Sequence, residues 1–551
     1  MSNLLDIHRT SKRLDHSGVG GDLTRLAVIG CGPRGLQCLD AVCRNLPEDM
    51  LARLDITVYE PCKTLGAGCV YDPQQPHVLR MNFASQNIDF WKTDADSTTL
   101  ASTSLIGWLR DHYPKLAADD QYVPRAIVGE YLNECYASVE RKLGGAKSYE
   151  VVNEQVGGVQ RLNSCWEVTT EIGANRYDLV VVTTGHEGFR RSESLNRNGA
   201  ARFVFPVQTN LSEKNFPPKS RVFVRGFGLT AIDAVLAMTE GRGGSFSNSP
   251  SRTYQPSGRE PAKLVLHSRS GRPMLAKPTA AIEQVSDHFW NKFRVRLAPL
   301  DRLSGSINFQ SDIWSVVHQA AAELLSHSGD SVSARDVAQW YRGWARYRMS
   351  LTEALDAMQQ SFLVSIGERP RDIASALGEA WRKLYPEIVA AISYGGLSKS
   401  QWPRFLSVAS EMERIAFGPP SQSVRQVLSL VDAGIVVLTN QDEDVAASQF
   451  DLHIDAVIAA PHQPSSNGPL ASLISQGLVE LDDTTGAVKV DATGEAIQSR
   501  TNNANSGLYI FGRATEGWVV GNDTLSRTLH DHIEQWSHSL ATRMVKLSRN
   551  E

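Results

Sequence analysis

The sequence lacks the features that mark several specialised protein classes. Its 551 residues contain no apolar run near the ~20 residues that span a bilayer, and the first 22 residues lack the apolar segment of a secretory signal. Lysine and arginine number 56 against 60 aspartate and glutamate, which gives a net charge of -4. No overall positive field therefore favours nucleic acid or an anionic membrane as a partner. We expect a cytoplasmic protein that binds neither.

Cysteine is scarce, and its pattern favours neither a disulfide scaffold nor a metal site. The seven cysteines all lie between Cys31 and Cys165, without a CxxC pair or a four-ligand zinc spacing. Cys38 and Cys43 have the CxxxxC spacing of some flavin disulfide reductases, but both fall inside the first predicted helix. We therefore predict reduced, buried thiols and no metal ligands. The GxSxG elbow of the α/β serine hydrolases is also absent.

What is present is a composition of ordinary globular type, with 42% hydrophobic and 21% charged residues. The first recognisable unit is an aliphatic strand followed by a glycine turn and a helical pattern over residues 36–46. In such a unit the glycines allow a tight turn, close approach of a pyrophosphate and close helix packing, while the helix N-terminus attracts the phosphates. The candidate ligands in this turn are Gly30, Gly32, Pro33, Arg34 and Gly35.

The next aliphatic run ends at Glu60, where a carboxylate can accept hydrogen bonds from both hydroxyls of an unphosphorylated ribose, as in FAD.

A second turn of the same type follows a strand pattern over residues 221–225, and its candidate ligands are Gly226, Gly228 and Thr230. The strand pattern after it ends in Ser268 and Arg269, with Arg259 just upstream. A hydroxyl and an arginine suit the 2′-phosphate of NADP, so we predict NADPH rather than NADH. The alternative for Arg269 is a surface arginine that pairs with a nearby acid.

With these two turns, several further motifs resemble the family named for its FAD-NAD(P)-binding domain, within the wider two-dinucleotide-domain flavoproteins. They are Leu65-Gly-Ala-Gly68, Val70-Tyr-Asp-Pro73, Arg80-Met-Asn82, Pro124-Arg-Ala-Ile-Val-Gly129, the segment 178–185, Ser257-Gly-Arg-Glu-Pro261, the segment 512–517 and Gly521-Asn-Asp523. The resemblance implies an α/β fold with two Rossmann-like dinucleotide-binding domains, similar to glutathione reductase, and a mostly helical insert. It also implies FAD contacts from Asn82, Gly185 and Gly512. Arg513 stands where many relatives have aspartate, so Asp523 is the alternative candidate for the ribityl contact.

The nearest chemical analogy is with flavin-dependent N-hydroxylating and Baeyer–Villiger monooxygenases. The segment Gln86-Asn-Ile-Asp-Phe90-Trp-Lys92 is similar to one in the N-hydroxylases that places glutamine near the flavin and lysine near the acidic end of the substrate. The alternative is an ordinary helix start with a solvated lysine. His186, after the strand pattern at 178–185, either approaches the substrate or caps a loop. Gln86, Lys92 and His186 are thus the catalytic candidates.

The pattern changes from strand to helix after Ser304-Gly-Ser306, and it returns to strand at 427–431, 435–438 and 455–460. A capping box at Ser350-Leu-Thr-Glu353 opens a helical stripe of Leu351, Leu355, Met358 and Phe362. Five tryptophans lie in the helical region, and we interpret them as core packing rather than as an aromatic substrate site. The expected layout is a flexible tail (1–22), an FAD-binding domain (23–205 and 501–551), an NAD(P)-binding domain (206–304 and 416–500) and a helical insert (305–415).

Together these features predict an FAD-dependent, NADPH-consuming monooxygenase that acts through a flavin C4a-hydroperoxide. The expected partners are O2 and a small amine or carbonyl metabolite, with N-hydroxylation in a biosynthetic pathway as one form of the reaction. Two alternatives remain open at this point. One is a flavin oxidase or NAD(P)H dehydrogenase that transfers no oxygen, and the other is a nucleotide-sensing or scaffolding protein with a vestigial flavin site.

Overall fold

The computed structural model describes most of the chain. The described residues are 23–91, 104–118, 122–185, 201–247, 253–279, 285–300, 305–458, 467–498, 506–522, 525, 527 and 529–549. The strands are β1 (Thr24–Ile29), β2 (Leu54–Tyr59), β3 (Ser148–Val152), β4 (Gly158–Leu162), β5 (Cys165–Thr169), β6 (Ala174–Tyr177), β7 (Leu179–Val182), β8 (Arg202–Phe203), β9 (Arg221–Arg225), β10 (Ser245–Phe246), β11 (Tyr254–Gln255), β12 (Lys263–His267), β13 (Val436–Thr439), β14 (Leu452–Asp455) and β15 (Leu508–Ile510).

The helices are α1 (Pro33–Asn45), α2 (Glu48–Leu51), α3 (Leu105–His112), α4 (Arg125–Leu143), α5 (Val207–Asn210), α6 (Leu229–Met238), α7 (Asp287–Leu297), α8 (Ser315–His327), α9 (Ala334–Arg346), α10 (Leu351–Ser365), α11 (Ile373–Ile392), α12 (Trp402–Ile415), α13 (Ser421–Asp432), α14 (Glu443–Ala447), α15 (Pro469–Ser475) and α16 (His532–Ser548). Within the described ranges, no helix has both the length and the apolar character needed to cross a membrane.

The first sheet is parallel and has the strand order β3-β2-β1-β7-β15. Its strands are covered on both faces, as is usual for parallel sheets. Leu26 and Val28 of β1 pack in one core with α1, α4 and α16, while Ala27 and Ile29 pack in another with the antiparallel sheet β4-β5-β6. The crossovers change direction at β1, so the carboxyl ends of β1 and β7 flank a crevice of the kind that binds nucleotides.

The second sheet is also parallel, with the order β13-β12-β9-β14-β8. Here the crossovers change direction at β9, the strand that leads into the second glycine turn. Val222 and Val224 of β9 pack in a core with α6, α10 and α13. Two parallel sheets, each with a glycine turn after its central strand, confirm the predicted α/β fold with two Rossmann-like units.

Of the strand predictions in the return segment, one was wrong and another had shifted bounds. Residues 427–431 form part of helix α13, in which Val424, Val427 and Leu428 are buried. These positions recur at a spacing of three and four residues, and a five-residue apolar window is too short to distinguish that period from a strand. The last predicted strand, at 455–460, lies further toward the N-terminus as β14, Leu452–Asp455, and among residues 455–458 only Asp455 belongs to that strand.

The helical region has its own core, built from α7, α8, α9, α11 and α12. Trp314, Trp344, Trp381 and Trp402 are buried there, and Trp340 packs against the same cluster, which confirms their interpretation as core residues. The capping box at Ser350 is present at the start of α10. However, Leu351 at the start of the predicted stripe is exposed, and Met358 and Phe362 pack in the core of the second sheet rather than in the helical core.

Candidate active site

The first glycine turn is shaped by contacts that exclude side chains. Gly30 has a φ of +95°, and a Cβ at Gly35 would lie 2.1 Å from the Gly30 carbonyl oxygen. Gly32 is the N-cap of α1, and the first turn of this helix contains no acidic residue. The helix N-terminus therefore presents free N–H groups and a positive dipole without a competing carboxylate. This is the environment that a pyrophosphate requires.

Glu60 lies directly beside this turn. One carboxylate oxygen accepts a hydrogen bond from the Cys31 N–H at 2.7 Å, and the other accepts one from the Cys62 N–H at 2.8 Å. The side chain is buried, with 5% exposure, so these bonds fix its orientation. Each carboxylate oxygen can accept a further bond. The acid is thus placed where the sequence predicted a ribose ligand.

The carboxyl ends of β7 and β15 meet the same turn. Thr183, directly after β7, donates its hydroxyl to the carbonyl oxygen of Gly30 at 2.7 Å. Gly185 and Gly512 both have positive φ angles, of +75° and +85°. A Cβ at Gly512 would lie 3.3 Å from Cγ of Arg34. Arg34 in turn donates to the Asn522 carbonyl oxygen at 3.0 Å, so residues nearly 500 positions apart close one side of the crevice.

The loop after Arg80 brings the predicted residues Asn82 and Gln86 to different surroundings. Gln86 is exposed on a single 3₁₀ turn, Ser85–Asn87. Asn82 is partly buried: its side-chain amide donates to the Phe417 carbonyl oxygen at 3.4 Å, and its own carbonyl oxygen accepts from Lys277. This loop of the first unit is therefore held by residues that lie between β12 and β13 of the second sheet in the chain.

Lys277 was missed by the sequence reasoning. It is 6% exposed, and its ammonium group lies 5.8 Å from the ring centre of Phe83 and 5.7 Å from that of Phe417. Burial, together with the charge of Arg382, lowers the pKa of Lys277 to about 7, although Glu413 opposes this shift. The available signal was a lysine directly after Met274-Leu-Ala276, because a charge next to an apolar run needs a specific partner.

The second turn has the same construction. Gly226 has a φ of +117°, and its Cβ position lies 3.1 Å from the Ala456 carbonyl oxygen on the neighbouring strand end. Gly228 is the N-cap of α6, whose first turn carries no acidic residue, and Thr230 is buried in that turn. Beside it Arg225 forms ion pairs with Asp455 at 2.6 Å and with Glu443 at 3.1 Å, which the sequence pattern did not reveal.

Ser268 and Arg269 follow β12, next to this turn. The Ser268 N–H donates to the Thr439 carbonyl oxygen at 3.0 Å, which fixes the backbone at the end of the strand. Arg269 is exposed, and within the described part of the chain its guanidinium forms no ion pair. Arg259 differs, because it binds Glu213 with N···O distances of 2.8 and 2.5 Å. Arg269 is therefore the better placed of the two for a phosphate.

A cavity of about 320 Å³ lies between α11, α12 and the segment that follows β15. Its apolar wall includes Trp381, Tyr385 and Phe405, and its polar wall includes Glu413 and Glu516. The Glu516 carboxylate accepts the N–H groups of Gly521 and Asn522, at 3.2 and 2.8 Å. Because Asn522 also binds Arg34, this cavity is connected to the first glycine turn by two hydrogen bonds.

Three of the predicted site residues lie outside the described part of the chain. They are Lys92, His186 and Asp523. Their roles remain predictions from the sequence.

Comparison with known proteins agrees with the motifs. Residues 27–187 match the family model described as FAD-NAD(P)-binding. Nitrosuccinic acid synthase of Aspergillus oryzae is 25% identical over 493 residues, which cover 75% of this chain and 72% of that protein. L-aspartate N-monooxygenase (nitrosuccinate-forming) of Streptomyces davaonensis is 24% identical over 522 residues, which cover 78% of each chain. The solved structure of L-lysine 6-monooxygenase from Pseudomonas syringae is 12% identical, covers 96% of this chain and 99% of that one, and has a TM-score of 0.47.

The family match and the two sequence relatives confirm the predicted family resemblance and the predicted enzyme class. The chain is a flavin-dependent oxidoreductase, and the cofactors that its family match indicates are FAD and NAD(P). The residues that hold each cofactor follow from the geometry of the two turns and are part of the proposal below.

Proposed function

Proceeding from residues 27–187 as an FAD-NAD(P)-binding domain, we propose that this protein is a monooxygenase that hydroxylates the amine nitrogen of a small acidic amino acid. The first substrate to test is L-aspartate, because the Streptomyces davaonensis relative, whose match covers 78% of this chain, is an L-aspartate N-monooxygenase. A cytoplasmic location fits a reaction that consumes NADPH. The product would be an N-oxygenated intermediate for biosynthesis.

The observation that carries the proposal is the difference between two otherwise similar nucleotide sites. The first turn has a buried glutamate at the ribose position, and the second has an exposed arginine with no carboxylate partner in the described ranges. A carboxylate repels a 2′-phosphate, whereas an arginine binds it. One turn therefore suits FAD and the other suits NADPH, which is the pair that a flavin monooxygenase needs.

The residues of this chain have positioning and binding roles. Bound FAD would supply the redox chemistry, by accepting a hydride from NADPH and reacting with O2. The N-terminus of α1 and Glu60 would hold the pyrophosphate and ribose of FAD, and Gly226, Gly228 and Arg269 would hold NADPH. Asn82, fixed by Lys277, would place the loop that carries Gln86 at the inner edge of the crevice.

Lys277 also offers a proton-transfer group between the two units. With a pKa near 7, its ammonium group can lose or regain a proton close to neutral pH. The amine of the substrate must be neutral to react as a nucleophile, and Lys277 is our candidate acceptor for its proton. Lys92 is the candidate for the acidic end of the substrate, and His186 remains a second candidate near it.

The decisive experiment measures oxygen transfer and NADPH consumption together. FAD-loaded protein is incubated with NADPH and ¹⁸O2, with L-aspartate as substrate, and peroxide is measured in parallel. We expect incorporation of ¹⁸O on the aspartate nitrogen, with little peroxide. Succinate is the matched control, because it keeps both carboxylates and lacks the amine. Stoichiometric peroxide with aspartate and with other amines would instead indicate an oxidase, and a protein that takes up no FAD would indicate a sensing or scaffolding role.

A further inference from the structure

Two cysteines outside the predicted site lie unusually close together. The Sγ atoms of Cys62 and Cys69 are 2.9 Å apart, whereas non-bonded heavy atoms usually approach to ~3.5–4.0 Å. Cys69 is exposed and begins a short 3₁₀ helix, Cys69–Tyr71, while Cys62 is partly buried. Because the Sγ atoms are already 2.9 Å apart, little movement is needed to bring them to the ~2.05 Å of a disulfide bond.

The loop between these cysteines contacts Glu60 and, at two further points, the first glycine turn, which is the proposed FAD turn. The Cys62 N–H donates to the Glu60 carboxylate, and the Gly66 N–H donates to the Cys31 carbonyl oxygen at 2.7 Å. A Cβ at Gly68 would lie 3.1 Å from Cα of Gly32. A covalent link between Cys62 and Cys69 would therefore close a loop that packs directly against the residues proposed to bind FAD.

We propose that Cys62 and Cys69 form a reversible intrachain disulfide that holds the 62–69 loop against the FAD turn. The oxidant is hydrogen peroxide, which flavin enzymes release when NADPH oxidation is not coupled to oxygen transfer. The Cys69 sulfur attacks one peroxide oxygen and becomes a sulfenic acid, with release of one water. The Cys62 sulfur then displaces the hydroxyl as a second water. The sulfurs lose two electrons in total, and the peroxide oxygens take up those electrons and both thiol protons.

The surroundings of the two cysteines indicate which one attacks peroxide and which one then displaces the hydroxyl. Cys69 is exposed and Cys62 is partly buried, so peroxide reaches Cys69 first. The hydrogen bond to Cys69, with a further contribution from burial, raises the pKa of Cys62 far above its usual range, which makes Cys62 the poorer first nucleophile. Cytoplasmic disulfides are commonly transient and redox-sensing, in agreement with a pair at an exposed loop.

The other thiols in the first unit are poor competitors for the oxidant. Cys31, Cys38 and Cys135 are buried, and burial raises the pKa of Cys31 to about 12. Burial likewise raises the pKa of the partly buried Cys43 to about 12. Cys165, in the antiparallel sheet, is partly exposed and lies outside the 62–69 loop, so it serves as the control cysteine.

The first test detects the bond itself and does not depend on the proposed function. Reduced holoenzyme is treated with hydrogen peroxide, the free thiols are alkylated, and the peptides are analysed by mass spectrometry without reduction. We expect a crosslinked peptide that joins Cys62 to Cys69, that disappears on reduction, that is absent from the Cys69→Ser variant and that is retained in Cys165→Ser. Alkylation of both Cys62 and Cys69 after oxidation, or sulfinic acid on Cys69 with Cys62 still free, would overturn the proposal.

The second test measures the consequence for FAD, and it relies on FAD binding at this turn but not on oxygen transfer. The rate of FAD release from oxidised and reduced holoenzyme is followed by flavin fluorescence after dilution. We expect release to be about tenfold slower in the oxidised protein, a modest effect for a crosslink across a short loop. The Cys69→Ser variant should release FAD at one rate under both conditions. Equal rates for the oxidised and reduced wild-type protein would contradict the role of the loop.

Discussion

At the scale of single residues, Arg269 tests the assignment of the second turn to NADPH. We expect Arg269→Ala to weaken binding of NADPH by about 10- to 100-fold, since a charge-assisted hydrogen bond contributes roughly 1.5–3 kcal/mol. NADH lacks the phosphate, so its binding should change little. Arg259→Ala is the matched control, because that arginine is already bound to Glu213. Anaerobic flavin reduction, followed at several concentrations of each nucleotide, gives the apparent dissociation constants. Equal losses of affinity for NADPH and NADH would show that Arg269 does not bind the 2′-phosphate.

Glu534 carries a residue-scale prediction about acid stability. It accepts hydrogen bonds from Arg44, Asn45 and Arg527, and although its burial acts in the opposite direction, these partners lower its pKa to about 2. A carboxyl with a lowered pKa stabilises the fold above its unfolded pKa, and that contribution is lost as the pH falls toward the folded pKa. The free energy of unfolding should therefore decrease by up to about 3 kcal/mol between pH 5 and pH 2 because of this group.

Urea unfolding at a series of pH values measures this contribution. In Glu534→Gln the free energy of unfolding should be lower near neutral pH and should fall less steeply below pH 5. Glu368→Gln, which changes an exposed glutamate, provides the control and should keep the wild-type slope. A wild-type slope in Glu534→Gln would mean that other carboxyls account for the acid sensitivity.

At the scale of elements, the close packing of α1 on β1 requires that residue 35 have no side chain. A Cβ at Gly35 would lie 2.1 Å from the Gly30 carbonyl oxygen, so Gly35→Ala must displace α1 from β1. Overpacking of this kind costs about 1–3 kcal/mol. The same displacement moves the N-terminus of α1, and we expect FAD binding to weaken by at least tenfold. Gly343→Ala in α9 is the control, because its Cβ position has no heavy atom within 4 Å and alanine favours helices by about 0.5–1 kcal/mol.

The sequence could predict the elements that depend on contacts between neighbouring residues, but not those that depend on contacts between distant residues. The two glycine turns and the capping box at Ser350 are determined by neighbouring residues, so their spacing is sufficient to predict them. Residues 427–431 of helix α13 were predicted as a strand because five apolar-rich positions do not reveal the helical period, which becomes clear only when the burial of Val424 against the core of α6 and α10 is included. The environment of Lys277 depends on Asn82, 195 residues earlier, and no local pattern contains that contact.

At the scale of the whole molecule, both nucleotide units are assembled from separated segments. β15, near the C-terminus, completes the first sheet, and β13 and β14 join the second sheet after the helical region. α16 is tied to α1 by the buried charges of Arg44, Arg527, Asp40 and Glu534. Neither unit is therefore a continuous stretch of chain, and hydride transfer between the two cofactors depends on how the units are held together.

The ion pair between Arg125 of α4 and Asp233 of α6 is one such connection. Its N···O distance is 2.6 Å, both side chains are largely buried, and it joins the helix of the first unit to the helix that follows the second glycine turn. Removal of one partner leaves a buried charge without compensation, which costs about 3–5 kcal/mol. We expect Arg125→Met to lower the free energy of unfolding by about this amount. The double variant Arg125→Met with Asp233→Leu should recover most of that lost free energy.

The readout that separates orientation from stability is the rate of flavin reduction by saturating NADPH, measured well below the unfolding temperature. If the pair sets the relative position of the two turns, the double variant will be stable but will reduce its flavin more slowly, because small displacements of reacting groups are costly for transfer between bound partners. Lys214→Met, at an exposed lysine, is the control for loss of one positive charge. A double variant with wild-type reduction rate would show that Arg125 and Asp233 contribute to folding alone.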